Sequence, residues 1–503
     1  MKVSGLRHFK LGESVPAQDH AVCVSLPTVE DLIGYEEKHP HTLEKIKAGY
    51  PRFVQHNLLG KLERCLRESK DDGSSKTFFF GRSRDAEFAL KSIGIKEASI
   101  QEVEGVTRLQ IPQDLQTEAE WIRTFLQNTG TGISSRWAED ILYRMGWITT
   151  RENVSEISHA KDRIRSVIAE AHGPEISSED VLLASSGANA FYNLFKEAWD
   201  NGQKRNKSIW IRLGWLYLDT IEVMERVTRT AGKVLTLDSM TQFENLERFF
   251  SDMGSEIAGV VTEFPTNPLL QSCDLEKVRS LCNENDSLLI IDPTMASPKN
   301  AKVSEYADVV VNSLTKYANW EGDVMMGSLV FPQKSHLGRS LIDKVAENLN
   351  VPHSRDLWRT AAQIPFYSNF IERTNQSLIE VAEFLQAHPK IRKVYWAYQD
   401  SYAHNYRKIA GDSAPGCTLS FDIDGDFKSF YDRLEMLKSP SFGTEFSICC
   451  PYVYLAHYGL TQSKEGLKLL ADAGINPNLC RLSVGLEDAD AIKETLNFAL
   501  NKI

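Results

Sequence analysis

From about residue 158 the chain repeats one pattern. A short unbroken apolar run is followed by a turn, then by a segment whose apolar residues recur every three or four positions. The runs are VLLASSG (181–187), KSIWIRLG, KVLTLD, IAGVVTEF, SLLIID (287–292) and ADVVVNSL (307–314). HAKDRIRSVIAEAHG precedes the first, and ANAFYNLFKEAWD, a segment from about Asp219, and LEKVRSLCNEN separate later ones. Unbroken apolar runs suit strands covered on both faces, and strand–helix alternation suits a parallel sheet. The pattern predicts an α/β architecture: a mostly parallel sheet sandwiched by helices.

The texture changes on either side. After about residue 345, RTNQSLIEVAEFLQAHP reads as a long helix and DADAIKETLNFALNKI as a closing one. GCTLSFDIDG and NLCRLSVGLED alternate like strands with one face in solvent, which predicts a smaller α+β domain. Before about residue 130 the pattern is less regular. TVEDLIGYEEKHPHTLEKIKAGYPRF reads as two short helices ending at Gly49-Tyr50-Pro51. KTFFFGRSRDAEFALKSIG reads as strand, turn and helix stopped by Gly94, and LQTEAEWIRTFLQNTGTG as a helix closed by a Gly-rich turn. The expected division is an N-terminal extension (1–130), a large domain (131–345) and a small C-terminal domain (346–503).

Composition narrows the function. A chain of 503 residues has ample length for a large core. Its net charge of −11 argues against a broad nucleic-acid surface. No run approaches 18 apolar residues, so no membrane span is expected. The eight cysteines form no C-x-x-C pair, and the N-terminus has no apolar stretch of signal-peptide length. A reduced, cytoplasmic setting is the expectation. No His/Cys/Asp cluster has metal spacing. His56 and His457 read as ordinary structural histidines.

In an open parallel sheet, ligands sit beyond the carboxyl ends of the strands. Four such ends carry polar groups. Ser185-Ser186-Gly187 enters a helix at Ala188, offering an anion close backbone approach and free N–H groups. TEFPTNPLL supplies Asn267, IIDPT supplies Asp292, and NSLTKY supplies Lys316 with Ser313 and Thr315 just before it. Each has an ordinary structural reading alone: a turn, a cap, a surface lysine. Together they match the needs of pyridoxal 5′-phosphate. That cofactor takes a lysine at its aldehyde, donors at its phosphate, and a carboxylate that keeps its pyridine nitrogen protonated so the ring can accept an electron pair. Asp292 and Lys316 lie 24 residues apart, which suits one strand-loop-strand step.

These motifs resemble those of the Cys/Met-metabolism enzymes of the fold-type-I pyridoxal-phosphate class, the cystathionine γ-synthase group. The resemblance covers roughly residues 130–503. SLTKY…GD…MG is similar to the family's lysine motif, which implies Lys316 as the Schiff-base lysine with Ser313 and Thr315 as phosphate partners. TEFPTNPLL implies Asn267 near the cofactor's phenolic oxygen, and IIDPTMASP implies Asp292 at the pyridine nitrogen. ASSGANA resembles the phosphate turn, with Ser186, Gly187 and Ala188. YLDT implies Tyr217 stacked on the ring, with a second role as acid or base. CRLSVGLED implies that Arg481 holds the substrate carboxylate, with Ser441 of SFGTEFS beside it. Arginine suits that role because its planar fork pairs with a carboxylate through two bonds.

The sequence also departs from the family. Trp320-Glu321 stands where Gly-His is common. The Tyr-x-Arg that reaches a neighbouring subunit's phosphate has GISSRWAE as its best match, giving Arg136, with Arg82 and Arg84 as competitors. GYPRF and SFGTEFSICCPYVYLAHYGL look like the longer, fungal-type branch. The resemblance implies a fold-type-I transferase, a homodimer or homotetramer with shared active sites, acting on small amino-acid substrates. The expected reaction is γ-replacement on an O-acylated homoserine by cysteine or another nucleophile. The alternatives are γ-elimination to a 2-oxo acid and ammonia, and a non-catalytic scaffold subunit.

Overall fold

Seven strands form the central sheet of the computed structural model, which describes every residue except 1–5, 7, 47, 48, 50–53, 67–74, 241, 242 and 400. Across the sheet they run Val181–Ala184, Gly327–Val330, Val309–Ser313, Leu288–Asp292, Ile257–Glu263, Ile209–Leu213 and Lys233–Leu237. Only Gly327–Val330 is antiparallel to its neighbours. This is the mostly parallel α/β sheet expected from the unbroken apolar runs. Strand Ile257–Glu263 is buried along its whole length because helices cover both faces.

Parallel register brings the functional strand ends to one edge. Asp292 pairs directly with Glu263 on the next strand, and Ser313 closes the strand beyond. The apolar run at 181–187 divides: Val181–Ala184 is strand, Ser185 and Ser186 turn, and the helix begins at Gly187. The helix thus starts one residue before the position expected from sequence, with the Ser186 hydroxyl accepting the Asn189 N–H as its cap.

A second sheet of five strands lies in the C-terminal part, ordered Ile391–Tyr395, Thr418–Ile423, Cys480–Ser483, Ile448–Pro451 and Leu437–Lys438. Here the solvent-facing pattern expected of GCTLSFDIDG and NLCRLSVGLED is corrected. Every residue of Thr418–Ile423 and Cys480–Ser483 is buried. Their polar positions face the large sheet's loops instead of water; the Ser420 hydroxyl donates to the Pro268 carbonyl at 2.7 Å. An alternating strand looks the same in sequence whether its polar face meets solvent or another polar loop.

The N-terminal segment serves both halves. Ser14–Val15 pairs with Cys23–Val24, and Val15 and Cys23 pack on Leu437, Phe446 and Ile448 of the small sheet. The two short helices are Val29–Glu36 and Pro40–Leu43; their expected stop at Tyr50-Pro51 lies outside the described residues. Ser75–Phe80, Ser99–Val103 and Val106–Pro112 form a separate antiparallel sheet. Helix Ser83–Ile93 ends at Gly94, which adopts a left-handed φ of 69°. Helix Gln116–Thr129 then carries Phe125 into a cluster with Tyr192, Phe195 and Trp210, locking this unit against the large sheet's helices. Among the described residues no helix is long and apolar enough to cross a membrane.

Candidate active site

The strand ends enclose a cleft of about 650 Å³. Gly187, Ala188, Tyr217, Asn267, Asp292, Ser313 and Lys316 all line it. A second cleft, of about 520 Å³, shares Tyr217, Asn267 and Lys316 and reaches Ser441 and Arg481. Residues spread over almost 300 positions therefore meet at two joined pockets, with Lys316 between them.

Asp292 is anchored on one side only. The Thr294 N–H and hydroxyl both donate to its Oδ1, and Oδ2 takes no hydrogen bond from the described residues. Burial pushes its carboxyl up to about 6, against the pull of the Thr294 donors and of Lys316. Such a site stabilises a cationic partner, because a nearby positive charge relieves the cost of holding a buried carboxylate. Glu263, its cross-strand neighbour, accepts the Tyr217 N–H at 2.6 Å on one oxygen and the Asn267 N–H at 3.0 Å on the other. Burial first, then the Asp292 charge, holds Glu263 well above the usual carboxylate range.

At the other end the cleft is cut to fit a close approach. A Cβ placed on Gly187 would stand 3.0 Å from the Ser313 Cβ, so only glycine lets the helix start press on that strand end. N–H groups of the first helical turn have no intrahelical acceptor, so the cleft gains donors suited to an anion.

Arg481 comes from strand Cys480–Ser483 and is buried. It donates to Asn267 Oδ1 at 2.8 Å and to the Ser441 carbonyl at 3.1 Å, while its Nε and the Ser441 hydroxyl are buried without a partner. Two orphaned polar groups beside one guanidinium suit a carboxylate ligand. Ser441 holds φ at 92°, a conformation non-glycine residues rarely adopt.

Several residues singled out from sequence lie elsewhere. Thr315 does not line either cleft; its hydroxyl accepts the Met326 N–H at 3.1 Å. Ser186 serves as the helix cap. Arg136 is fully buried among Glu152, Asp323 and Asp356 of its own chain and lines neither cleft. Arg82 binds the carbonyls of Glu347 and Leu349, and Arg84 binds Asn348. Trp320 donates to the Gln363 carbonyl and Glu321 pairs with Arg359, so the departure from Gly-His is absorbed by packing. His457 accepts from Trp215, and His56 contacts the Asp19 carbonyl. His20, Glu139 and Glu152 also come together, but Arg136 and Arg355 already neutralise the two carboxylates.

The sequence reading passed over Glu263, Thr294, Phe442 and Asn128, all of which line or brace the first cleft. Glu263 and Thr294 sit inside quoted motifs, so their signal was available. Asn128 sits in the last turn of helix Gln116–Thr129, and nothing local marks it.

The family model for Cys/Met metabolism PLP-dependent enzymes matches residues 161–501. The chain belongs to this family. Its cofactor is therefore pyridoxal 5′-phosphate, and the cleft fits that group: a glycine-cradled helix start, a half-anchored buried carboxylate and a lysine converge on it. Among relatives, the L-2-amino-4-chloropent-4-enoate dechlorinase/desaturase of Streptantibioticus cattleyicolor is 33% identical over 490 residues, covering 97% of both chains. The cystathionine gamma-synthase of Neurospora crassa is 24% identical over 621 residues, covering 98% of both. Among solved structures, cystathionine gamma synthase from Xanthomonas oryzae pv. oryzae, in complex with aminoacrylate and cysteine, aligns with a TM-score of 0.57. That alignment covers 69% of this chain and 86% of the other at 22% identity, and shows the shared fold. This PLP-dependent enzyme thus stands among cystathionine γ-synthase-like and lyase-like relatives.

Proposed function

We propose that this enzyme removes a leaving group from Cγ of an α-amino acid with a compact, apolar side chain, a γ-elimination. One observation carries the reading. Among the described residues lining the cleft beside Arg481, the charged ones are Lys316 and Arg481 alone. Leu218, Leu455, Ala456, Cys450 and Tyr452 make up much of the remaining wall. Arg481 accounts for one carboxylate and Lys316 is committed to the cofactor and the α-proton, so these residues supply no further cation for the carboxylate of an incoming cysteine. An apolar wall instead favours a short hydrocarbon side chain. The 33% identical dechlorinase/desaturase, whose name specifies a γ-chlorinated, unsaturated amino acid, supports the same class.

The bound cofactor supplies an electron sink for the α-carbon. Arg481 and Ser441 orient the α-carboxylate, which fixes the α-proton relative to Lys316. Lys316 lines both clefts and is the group placed to take that proton. Asp292 balances positive charge at the far end of the cleft, and Asn267 is held for its contact by Glu263. Tyr217 lines both clefts and would stack on the cofactor's flat ring. Loss of HX balances: the carbon chain gives up a proton to the enzyme, and X leaves with its bonding pair.

A second reading is γ-replacement by a thiol, favoured by the cystathionine γ-synthase relatives. One experiment separates the two. The enzyme is incubated with L-2-amino-4-chloropent-4-enoate or O-acetylhomoserine, with and without cysteine. Release of chloride or acetate at a rate independent of cysteine supports elimination. A thioether that forms only with cysteine establishes replacement and overturns the proposal, as does a lack of turnover on both substrates.

A further inference from the structure

We propose that Asn128, on helix Gln116–Thr129, is a cofactor-phosphate ligand, so that this chain supplies a phosphate donor from its own polypeptide outside the family's motifs. Asn128 is 5% exposed and lines the cleft with Gly187, Ala188, Asp219 and Thr220. Its side-chain amide makes no hydrogen bond with the described residues. The residue is buried while its amide, unpaired, is open to the cleft, where a bound group can reach it.

Its position is also over-determined. Asn128 sits in the last turn of helix Gln116–Thr129, which ends at Gly130 with φ at 60°. A Cβ on Gly130 would fall 2.2 Å from the Ser186 hydroxyl and 2.9 Å from the Asn189 N. The Ser185 hydroxyl donates to the Gly130 carbonyl. The end of this helix is therefore seated against the start of helix Gly187–Lys204, and Asn128 cannot slide away from it.

The corner suits a phosphate. Helix Gly187–Lys204 and helix Leu218–Thr228 both begin beside the cleft, and the first N–H groups of a helix lack intrahelical acceptors. The amide of Asn128 adds a neutral donor. Asp219 also lines the cleft, and the donors here must outweigh the repulsion between its carboxylate and a dianion. Arg136, which the family motif suggested for a neighbouring subunit's phosphate, is engaged by three carboxylates of its own chain.

The test compares pyridoxal 5′-phosphate with pyridoxal, which lacks the phosphate. Purified protein is stripped of cofactor and titrated with each compound, following the visible absorbance of the bound cofactor. Asn128→Ala should weaken pyridoxal 5′-phosphate about tenfold, and the isosteric Asn128→Asp about a hundredfold, in line with a hydrogen bond to a charged group and with added repulsion. Pyridoxal affinity should change less than about twofold in both variants. Two results would overturn the proposal: equal losses for both compounds, the mark of a structural role, or no loss of the phosphorylated cofactor in the Asp variant. Because Asp matches Asn in shape, that variant keeps the comparison valid even if the Ala variant fails to fold.

Discussion

Arg481 donates to the side-chain oxygen of Asn267 at 2.8 Å, tying the small sheet to a loop of the large one at the point where the two clefts join. The contact makes substrate binding and cofactor contact parts of one network. Arg481→Lys removes the planar fork and leaves Asn267 without this donor. Since hydrogen bonds to charged groups contribute about 1.5–3 kcal/mol, kcat/KM should fall by about ten- to a hundredfold. Most of the loss should appear in KM, measured with any turned-over amino acid; an unchanged KM would place the carboxylate elsewhere.

Glu263 holds two backbone N–H groups, one on each oxygen. Glu263→Gln turns one acceptor into a donor facing an N–H. Leaving that buried group unpaired costs about 1–3 kcal/mol, so in a chain of this size Tm should drop by about one to three degrees. The visible spectrum of the bound cofactor should also shift, because Tyr217 and Asn267 move with their backbones. A variant with wild-type Tm and spectrum would show that Glu263 braces nothing.

Gly187→Ala tests the cradle. The added methyl meets Ser313 at 3.0 Å, while alanine is a better helix former than glycine. The fold should survive, and cofactor affinity should fall by roughly tenfold as the helix start is pushed back. Equilibrium titration of the stripped protein measures this.

Asp292 sets a pH dependence. With its carboxyl pushed up to about 6 by burial, it is neutral below that pH and charged above. Cofactor binding favours the carboxylate and releases a proton, so affinity should climb as pH rises toward about 6 and level off above it. Asp292→Asn should bind more weakly and lose this part of the rise. Dissociation constants at pH 5 and 7 for both proteins isolate it, since the cofactor's own titration is common to the two.

His172 predicts acid sensitivity of the fold. Both ring nitrogens are buried without a partner, and burial pushes the imidazole down to about 3. An unfolded histidine takes a proton below about 6.5, while this one stays neutral in the folded chain. Stability from this group is present above about 6.5 and is lost as pH falls toward about 3, by a factor of about ten in the folding constant per unit. His172→Leu should flatten that slope, read from urea midpoints at pH 7 and pH 5.

How much was visible beforehand depends on range. Apolar runs such as IAGVVTEF marked the large sheet because a strand covered on both faces must be apolar throughout. The motifs around Lys316, Asp292 and Asn267 were legible because each occupies a strand end, and strand ends in a parallel sheet share one edge. Thr418–Ile423 misled because alternation records two kinds of face without saying what the polar one meets. Arg136 was marked by a short motif, yet its charge is absorbed by Glu152, Asp323 and Asp356, which lie 16 to 220 positions away.

The sequence by itself determined the alternation of strands and helices, the family, and the residue types that a phosphate-bearing aldehyde cofactor requires. These are local properties: periodicity, turn chemistry and the residues at strand ends. Only the tertiary structure decided that Glu263 stands beside Asp292, that Ser441 and Arg481 have unmet hydrogen-bonding capacity, and that Asn128 reaches the cleft from helix Gln116–Thr129. Those relations arise from sheet register and from helices docking across hundreds of positions, where burial and close packing, not neighbouring sequence, select the partners.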